Sequence, residues 1–156
     1  MKTATVKELK NELSHYTQNE LIDMCLSLSK FKKENKELLT YLLFEKENED
    51  RFITGVKEEV IYEFTTINTA SYFFIKKSVR RILRLIKKYI RYSKNKETEI
   101  ELLLFFCEKL KSFQPSIYNY SVLENIYNRE LLSIKKKLKL LHEDLQYDYN
   151  LRIENI

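Results

Sequence analysis

"KKSVRRILRLIKKYIRY", residues 76–92, carries eight basic side chains and no carboxylate. It contains no glycine or proline, and its apolar residues recur three and four positions apart. That is the period of a helix that buries one face. On a wheel advancing about 100° per residue, Tyr72, Ile75, Val79, Ile82, Leu83, Leu85, Ile86, Tyr89 and Ile90 fall within one arc. The arc is about 160° wide. Lys76, Lys77, Arg80, Arg81, Arg84, Lys87, Lys88 and Arg91 fall on the opposite side, and the two sets do not mix. An amphipathic helix over 71–94 with a wholly cationic outer face is expected.

The charge map around this helix is polarised. From Phe64 to Lys96 there are ten basic residues and no acidic one, whereas the remaining sequence is net acidic, so the overall +5 conceals the asymmetry. The chain is rich in Lys, Ile, Asn, Tyr and Phe, and alanine occurs only at Ala4 and Ala70. That bias fits an AT-rich genome, so the lysine count taken alone carries little weight. It does not account for the exclusion of Asp and Glu from a whole segment, nor for four arginines on one face.

Gly55 is the only glycine and Pro115 the only proline among 156 residues. A β-rich fold needs many tight turns and the residues that make them. The sequence therefore predicts an all-α chain of six or seven helices. It is expected to form a single domain over residues 1–156, either an irregular helical bundle or a short HEAT-like stack of helical hairpins. At 44% hydrophobic and 33% charged residues, the composition is that of a folded chain with its own core.

The other helices are bounded by local signals. Thr5 with Glu8, Thr17 with Glu20, and Ser121 with Glu124 each fit the capping-box pattern, in which two unpaired backbone donors are satisfied reciprocally. These predict helix starts before 5–14, 18–30 and a last long helix. In that last helix Tyr127, Leu131, Ile134, Leu138, Leu141 and Leu145 form one stripe. A third helix is expected over 35–46, and a fourth carries Ile53, Val56, Val60, Phe64 and Ile67 at helical spacing. "IELLLFFCEKL", residues 100–110, is apolar nearly all round and belongs at the centre of the packing. Pro115 stops it. The tail "YDYNLRIENI" gives no strong signal.

Several kinds of chemistry are missing. The N-terminus lacks the apolar core of an export signal. The longest apolar run, "LLLFFC" at 102–107, is far short of the roughly 18 residues of a membrane span. A cytoplasmic setting with free thiols at Cys25 and Cys107 is expected. Both cysteines lie on apolar stripes, as inert buried thiols do. One glycine allows neither a P-loop nor a dinucleotide-binding turn. Glu12 and His15 have the Glu-x-x-His spacing of di-iron bundles, but those need two such motifs, and Lys139 stands three residues before His142. His142, Glu143, Asp144 and Asp148 read as a solvated helix terminus. No catalytic residue, metal site or cofactor is expected. Among the aromatic residues, Tyr118, Tyr120, Tyr147 and Tyr149 lie outside the clear stripes and are candidates for a surface patch.

Three stretches carry a family resemblance. They are "VKELKNELSHYTQNELIDMCLSLSKFKKENKELLTYLL" (6–43), "RRILRLIKKYIRYSKNKETEIELLLFFCEKLKSF" (80–113) and "ELLSIKKKLKLLHEDLQYDYNLRI" (130–153). Together they resemble an uncharacterised family of small all-helical bacterial proteins, a domain of unknown function. The resemblance implies an all-helical domain and no particular activity.

The functional expectation therefore rests on the cationic face, with Lys77, Arg80, Arg81, Arg84, Lys87, Lys88 and Arg91 as candidate partner-binding residues. The leading reading is a non-enzymatic interaction or scaffold module. Its face meets an acidic protein surface, a second copy of the chain, or acidic segments of its own such as "EKENED" (45–50) and "KETEIE" (96–101). The alternative is sequence-independent nucleic-acid binding, because a cationic stripe is the footprint of phosphate contact. Lys77, Arg81, Arg84, Lys88 and Arg91 would form one row about 21 Å long. A membrane role is disfavoured, since it needs the apolar face of the same helix to be free.

Overall fold

The computed structural model describes residues 1–156. It is all-helical, with 79% helix and no strand. Eight α-helices are present: α1 Val6–Leu13, α2 Gln18–Phe31, α3 Lys33–Thr40, α4 Glu49–Thr65, α5 Tyr72–Ser93, α6 Lys96–Ser112, α7 Ser121–Leu138 and α8 Glu143–Glu154. A π-helical turn spans Tyr41–Glu45 and a 3-10 turn spans Ile117–Asn119. The expected count of six or seven is corrected to eight because the long C-terminal stripe is two helices. Three lysines, Lys135 to Lys137, close α7, a favourable end for cations facing the helix dipole. The chain turns, and His142 caps α8 by accepting the Asp144 N–H at 3.4 Å. The tail that gave no sequence signal is that helix.

Two capping boxes form as the sequence indicates. Thr5 donates its N–H to Glu8 at 2.7 Å and accepts the Glu8 N–H at 3.3 Å. Thr17 and Glu20 repeat the pattern at 2.8 and 3.4 Å. The third does not form: Ser121 is already inside α7, and Tyr120 precedes it without a side-chain cap. The 3-10 turn running into Tyr120 occupies the place a cap would take.

Contacts cluster into two compact units, Met1–Phe44 and Glu45–Ile156. In the first, α2 and α3 pack on each other. No residue of α1, α2 or α3 is buried. In α2 Leu21 is half-buried, whereas Cys25 and Leu28 are exposed.

In the second unit α6 is central and packs against α4, α5 and α7. Ile100, Leu102, Leu103, Leu104, Phe106, Cys107 and Leu110 are all at most 1% exposed. They cover more than one side of the helix, as its all-round apolar sequence requires. Around it α4 contributes Phe52, Val56, Val60 and Phe64, and α5 contributes Ile75, Val79, Ile82, Leu83 and Ile86. Phe64 meets Phe106 and Phe113 at ring separations of 6.0 and 6.1 Å. Each such side chain contributes about 1.5–3 kcal/mol by leaving water. Pro115 stands just beyond the end of α6 at Ser112. No helix is long and apolar enough to cross a membrane.

Gly55 lies inside α4, and a Cβ built there meets nothing within 4 Å. Glycine costs a helix interior about 1 kcal/mol relative to alanine. Gly55→Ala should therefore raise unfolding stability by about 0.4–1 kcal/mol, read from a denaturant melt. A decrease would mean that the position serves something other than the helix.

A set of ion pairs ties the outer helices to α6. Lys57 of α4 and Arg152 of α8 both reach Glu101, at 2.5 and 2.6 Å, and Arg152 also holds Glu108 at 2.9 Å. Lys137 of α7 pairs with Glu99 at 2.6 Å. Burial alone would raise the Glu101 carboxyl, but hydrogen bonds from Arg152 and Lys57 outweigh it and hold the group below its ordinary value. A carboxylate depressed in the folded state stabilises the fold above its unfolded pKa. That contribution is lost as pH falls through the folded value. Arg152→Ala should lower stability by about 2 kcal/mol at neutral pH, less than for a fully buried pair because Arg152 keeps 37% of its side chain exposed. As pH falls the wild type loses the Glu101 contribution and the variant has less of it to lose, so the stability difference between them should shrink in acid. Thermal melts across pH 3 to 7 check both, and a difference that stays constant over that range would rule out this role for Arg152.

Candidate functional site

The cations of α5 are sorted by what flanks them. On one side stands α4, whose Glu63 pairs with Arg81 at 2.5 Å and whose Glu59 accepts the Tyr89 hydroxyl at 2.6 Å. On the other stands α7. There the buried Glu130 carboxylate accepts Lys87 at 2.9 Å and its own neighbour Arg129 at 2.9 and 3.0 Å. A carboxylate only 3% exposed is tolerable because two cations and their hydrogen bonds replace its water. This carboxylate fixes where α7 stands beside α5.

Between these two helices lies an open groove of about 650 Å³. Its rims carry Lys76, Lys77, Arg80, Arg84 and Lys87 of α5 and Arg129 of α7. Phe73 and Leu83 supply its apolar surface, and no carboxylate lines it. Other cavities have mixed charge. One of about 550 Å³ sets Arg51 beside Glu45, Glu58 and Glu59, and one of about 510 Å³ sets Lys111 and Arg152 beside Glu108. Cations concentrated in a concave site focus a positive potential. Lys76, Lys77, Arg80 and Arg84 take part in no ion pair, whereas Lys87 and Arg129 share Glu130.

Of the seven candidate residues, Lys77, Arg80, Arg84 and Lys87 line the groove. Arg81 leans to α4 and pairs there. Lys88 is half-buried, with its ammonium 4.7 Å from the Tyr89 ring centre. Arg91 is exposed in the last turn of α5. In the acidic segments expected to balance this helix, Glu45 pairs with Arg51, Glu99 with Lys137, and Glu101 with Lys57 and Arg152, while Glu49 accepts the Ser93 hydroxyl at the end of α5. Glu63 of α4 and Glu130 of α7 pair with Arg81 and Lys87.

Two lining residues escaped the sequence reading. Arg129 sits 42 positions beyond Lys87, so only the fold brings them together. Phe73 had a readable signal: it falls outside the apolar arc of its own helix, and it is 60% exposed. The tyrosines suggested for a surface patch divide. Tyr118 and Tyr147 are exposed, Tyr120 stacks on Tyr72 at 4.4 Å, and Tyr149 is buried at 7% exposure, because its ring packs against the Arg152 guanidinium.

Nowhere do three His, Cys, Asp or Glu side chains converge as metal ligands would. His15 and His142 are exposed. The Cys107 thiol is fully buried, and burial, with Glu130 and Glu108 nearby, pushes it up to about 12. Cys25 departs from the expectation of a core thiol: it is exposed, since α2 buries no residue at all. A thiol reagent at neutral pH should therefore label one cysteine quickly, at Cys25, and the second only on unfolding. Peptide mapping after a timed pulse checks this, and fast native labelling of Cys107 would overturn its assignment as a packing residue.

Compared with known proteins, the chain matches no family model, no curated protein and no solved structure.

Proposed function

We propose that this chain is a non-enzymatic interaction module that takes an anionic partner on the open side of α5. The observation that carries the reading is the groove between α5 and α7, with six cations on its rims and no carboxylate among its lining residues. Four of those cations make no ion pair within the chain. An acidic protein surface, a second copy presenting Glu143, Asp144 and Asp148, and nucleic acid all carry the required charge. A bilayer suits the site less, because the apolar side of α5 is buried against the core.

The non-enzymatic part of the reading is supported by the neutral, enclosed Cys107 thiol and by the exposed positions of both histidines. For the scaffold behind the groove, we favour an irregular helical bundle over a HEAT-like stack within Glu45–Ile156. In a stack each repeat touches only its neighbours, whereas α6 touches α4, α5 and α7.

Retention on a generic polyanion tests the reading. The wild type should bind heparin resin in low salt and elute at raised salt, because each contact releases condensed counterions. Arg80→Gln with Arg84→Gln should elute at clearly lower salt. Its melt should stay within about 0.5 kcal/mol of wild type, as for surface changes generally, since both side chains are exposed. Flow-through of the wild type in low salt would remove the anion-binding reading. An unchanged elution of the double variant would move it off this groove.

A further inference from the structure

We infer that the anion taken by the α5–α7 groove is the backbone of a single-stranded nucleic acid, with a base stacked on Phe73. The inference rests on the anion-binding reading of the same groove and names its ligand class. It draws on three features.

The first is the spacing of the cations. Lys76, Arg80 and Arg84 advance by four along α5, about 6 Å per step. That is a one-residue-per-phosphate ladder for an extended strand. Lys77 and Lys87 widen it on the same helix, and Arg129 faces it from α7.

The second is the size of the groove. Its volume of about 650 Å³ is within the range of small-ligand clefts. A few nucleotides of one strand fit such a space, and the body of a duplex does not. A duplex would have to lie across the rims and would meet the cations without meeting the interior.

The third is Phe73. A phenylalanine 60% exposed forgoes much of the roughly 1.5–3 kcal/mol that burial would provide. Here it stands in the first turns of α5, at the groove, beside the Lys76–Lys77 pair. Phe74 supports it edge-on at a ring separation of 5.6 Å and an interplanar angle of 73°. Phe74 is itself 43% exposed. Outside the groove lining, Tyr72 stacks on Tyr120 at 4.4 Å and 15°, and the Lys76 ammonium lies 5.4 Å from the Tyr72 ring. Cations tracking a backbone, interleaved with an aromatic ring for an unpaired base, are the two components of sequence-tolerant single-strand binding. An acidic peptide would use the cations and leave Phe73 without a role.

Fluorescence anisotropy with the full chain tests this. The probes are labelled oligo(dT), a duplex of equal length, polyglutamate, and vesicles containing phosphatidylserine, all at the same salt. The proteins are the wild type, Phe73→Ala, and Arg80→Gln with Arg84→Gln, each first checked by thermal melt. Wild type should bind oligo(dT) at least about tenfold more tightly than the duplex. Phe73→Ala should lose about fivefold to a hundredfold toward oligo(dT) and nothing toward polyglutamate. The arginine variant should weaken both and flatten the oligo(dT) salt slope by about 1.4, at roughly 0.7 per contact. Equal binding of strand and duplex, with no effect of Phe73→Ala, overturns the inference and leaves the anion-binding reading standing. Polyglutamate or vesicles binding more tightly than oligo(dT) overturns it in favour of a protein or a lipid surface. Absence of binding to every probe and to heparin removes both.

Discussion

A helix that is apolar on nearly every side has to be covered on nearly every side, and α6 is that helix. Its residues from Ile100 to Leu110 include seven side chains that are essentially sealed from water. One neighbour cannot do this, because a single helix covers only a stripe. Three neighbours are required, and α4, α5 and α7 take those positions. Each is amphipathic in the ordinary way and turns its apolar stripe toward α6. The polar requirements at the edges are met by charges that span from one helix to the next. Glu99 and Glu101 stand among the polar residues at the start of α6, and they become the anchoring points for Lys57, Lys137 and Arg152.

The cationic face of α5 follows from that arrangement. Its apolar arc is committed to the core through Ile75, Val79, Ile82, Leu83 and Ile86, so its eight basic residues have only the outer side left to them. Whether they become a binding surface or a satisfied one then depends on the two flanking helices. The α4 side offers Glu63 and takes Arg81. The α7 side offers one buried carboxylate, Glu130, already divided between Lys87 and Arg129. Lys76, Lys77, Arg80 and Arg84 belong to neither of these pairs, and they line the groove between α5 and α7.

Much of this is legible in the sequence, for identifiable reasons. The all-helical class follows from Gly55 and Pro115 being alone of their kind, and the central place of 100–110 follows from its lack of a polar face. The orientation of α5 follows from a wheel on which the two kinds of residue never mix. What escaped is what depends on three-dimensional neighbours or on weak punctuation. The turn between α7 and α8 contains neither glycine nor proline. The leucine stripe also runs through it in phase, since Leu138, Leu141 and Leu145 all turn at least partly inward on both sides of the break. Cys25 sits on an apolar stripe, but α2 buries none of its residues, and periodicity alone cannot distinguish a covered stripe from an open one. Arg129 is adjacent to an acidic residue in sequence and reads as an ordinary surface pair until the fold sets it opposite Arg80 and Lys87.

The local electrostatics of α5 run against its own stability. Lys76 with Arg80, Lys77 with Arg81, Arg80 with Arg84, Arg84 with Lys88, and Lys87 with Arg91 are all like charges four residues apart. Each such pair destabilises a helix by about 0.2–0.5 kcal/mol. No acidic residue stands in the first turn, where a carboxylate would favour the helix dipole and where Lys76 and Lys77 instead follow closely. One glutamate in place of Lys76 or Arg80 would relieve the like-charge pairs without touching the core, since neither side chain is buried. Elsewhere the chain uses such devices freely: capping boxes at α1 and α2, acidic first turns at α4 and α6, and lysines closing α6 and α7. α5 keeps one of them, Arg91 in its last turn, and has neither a side-chain cap nor an acidic first turn. Like charges also stand four apart in α4, at Glu59 and Glu63, and in α6, at Glu97 and Glu101. There a cation of a neighbouring helix reaches one member of each pair, Arg81 at Glu63 and Lys57 with Arg152 at Glu101. Lys76, Lys77, Arg80 and Arg84 take part in no such pair, and local conflicts left unrelieved within a fold are the kind that accompany functional sites.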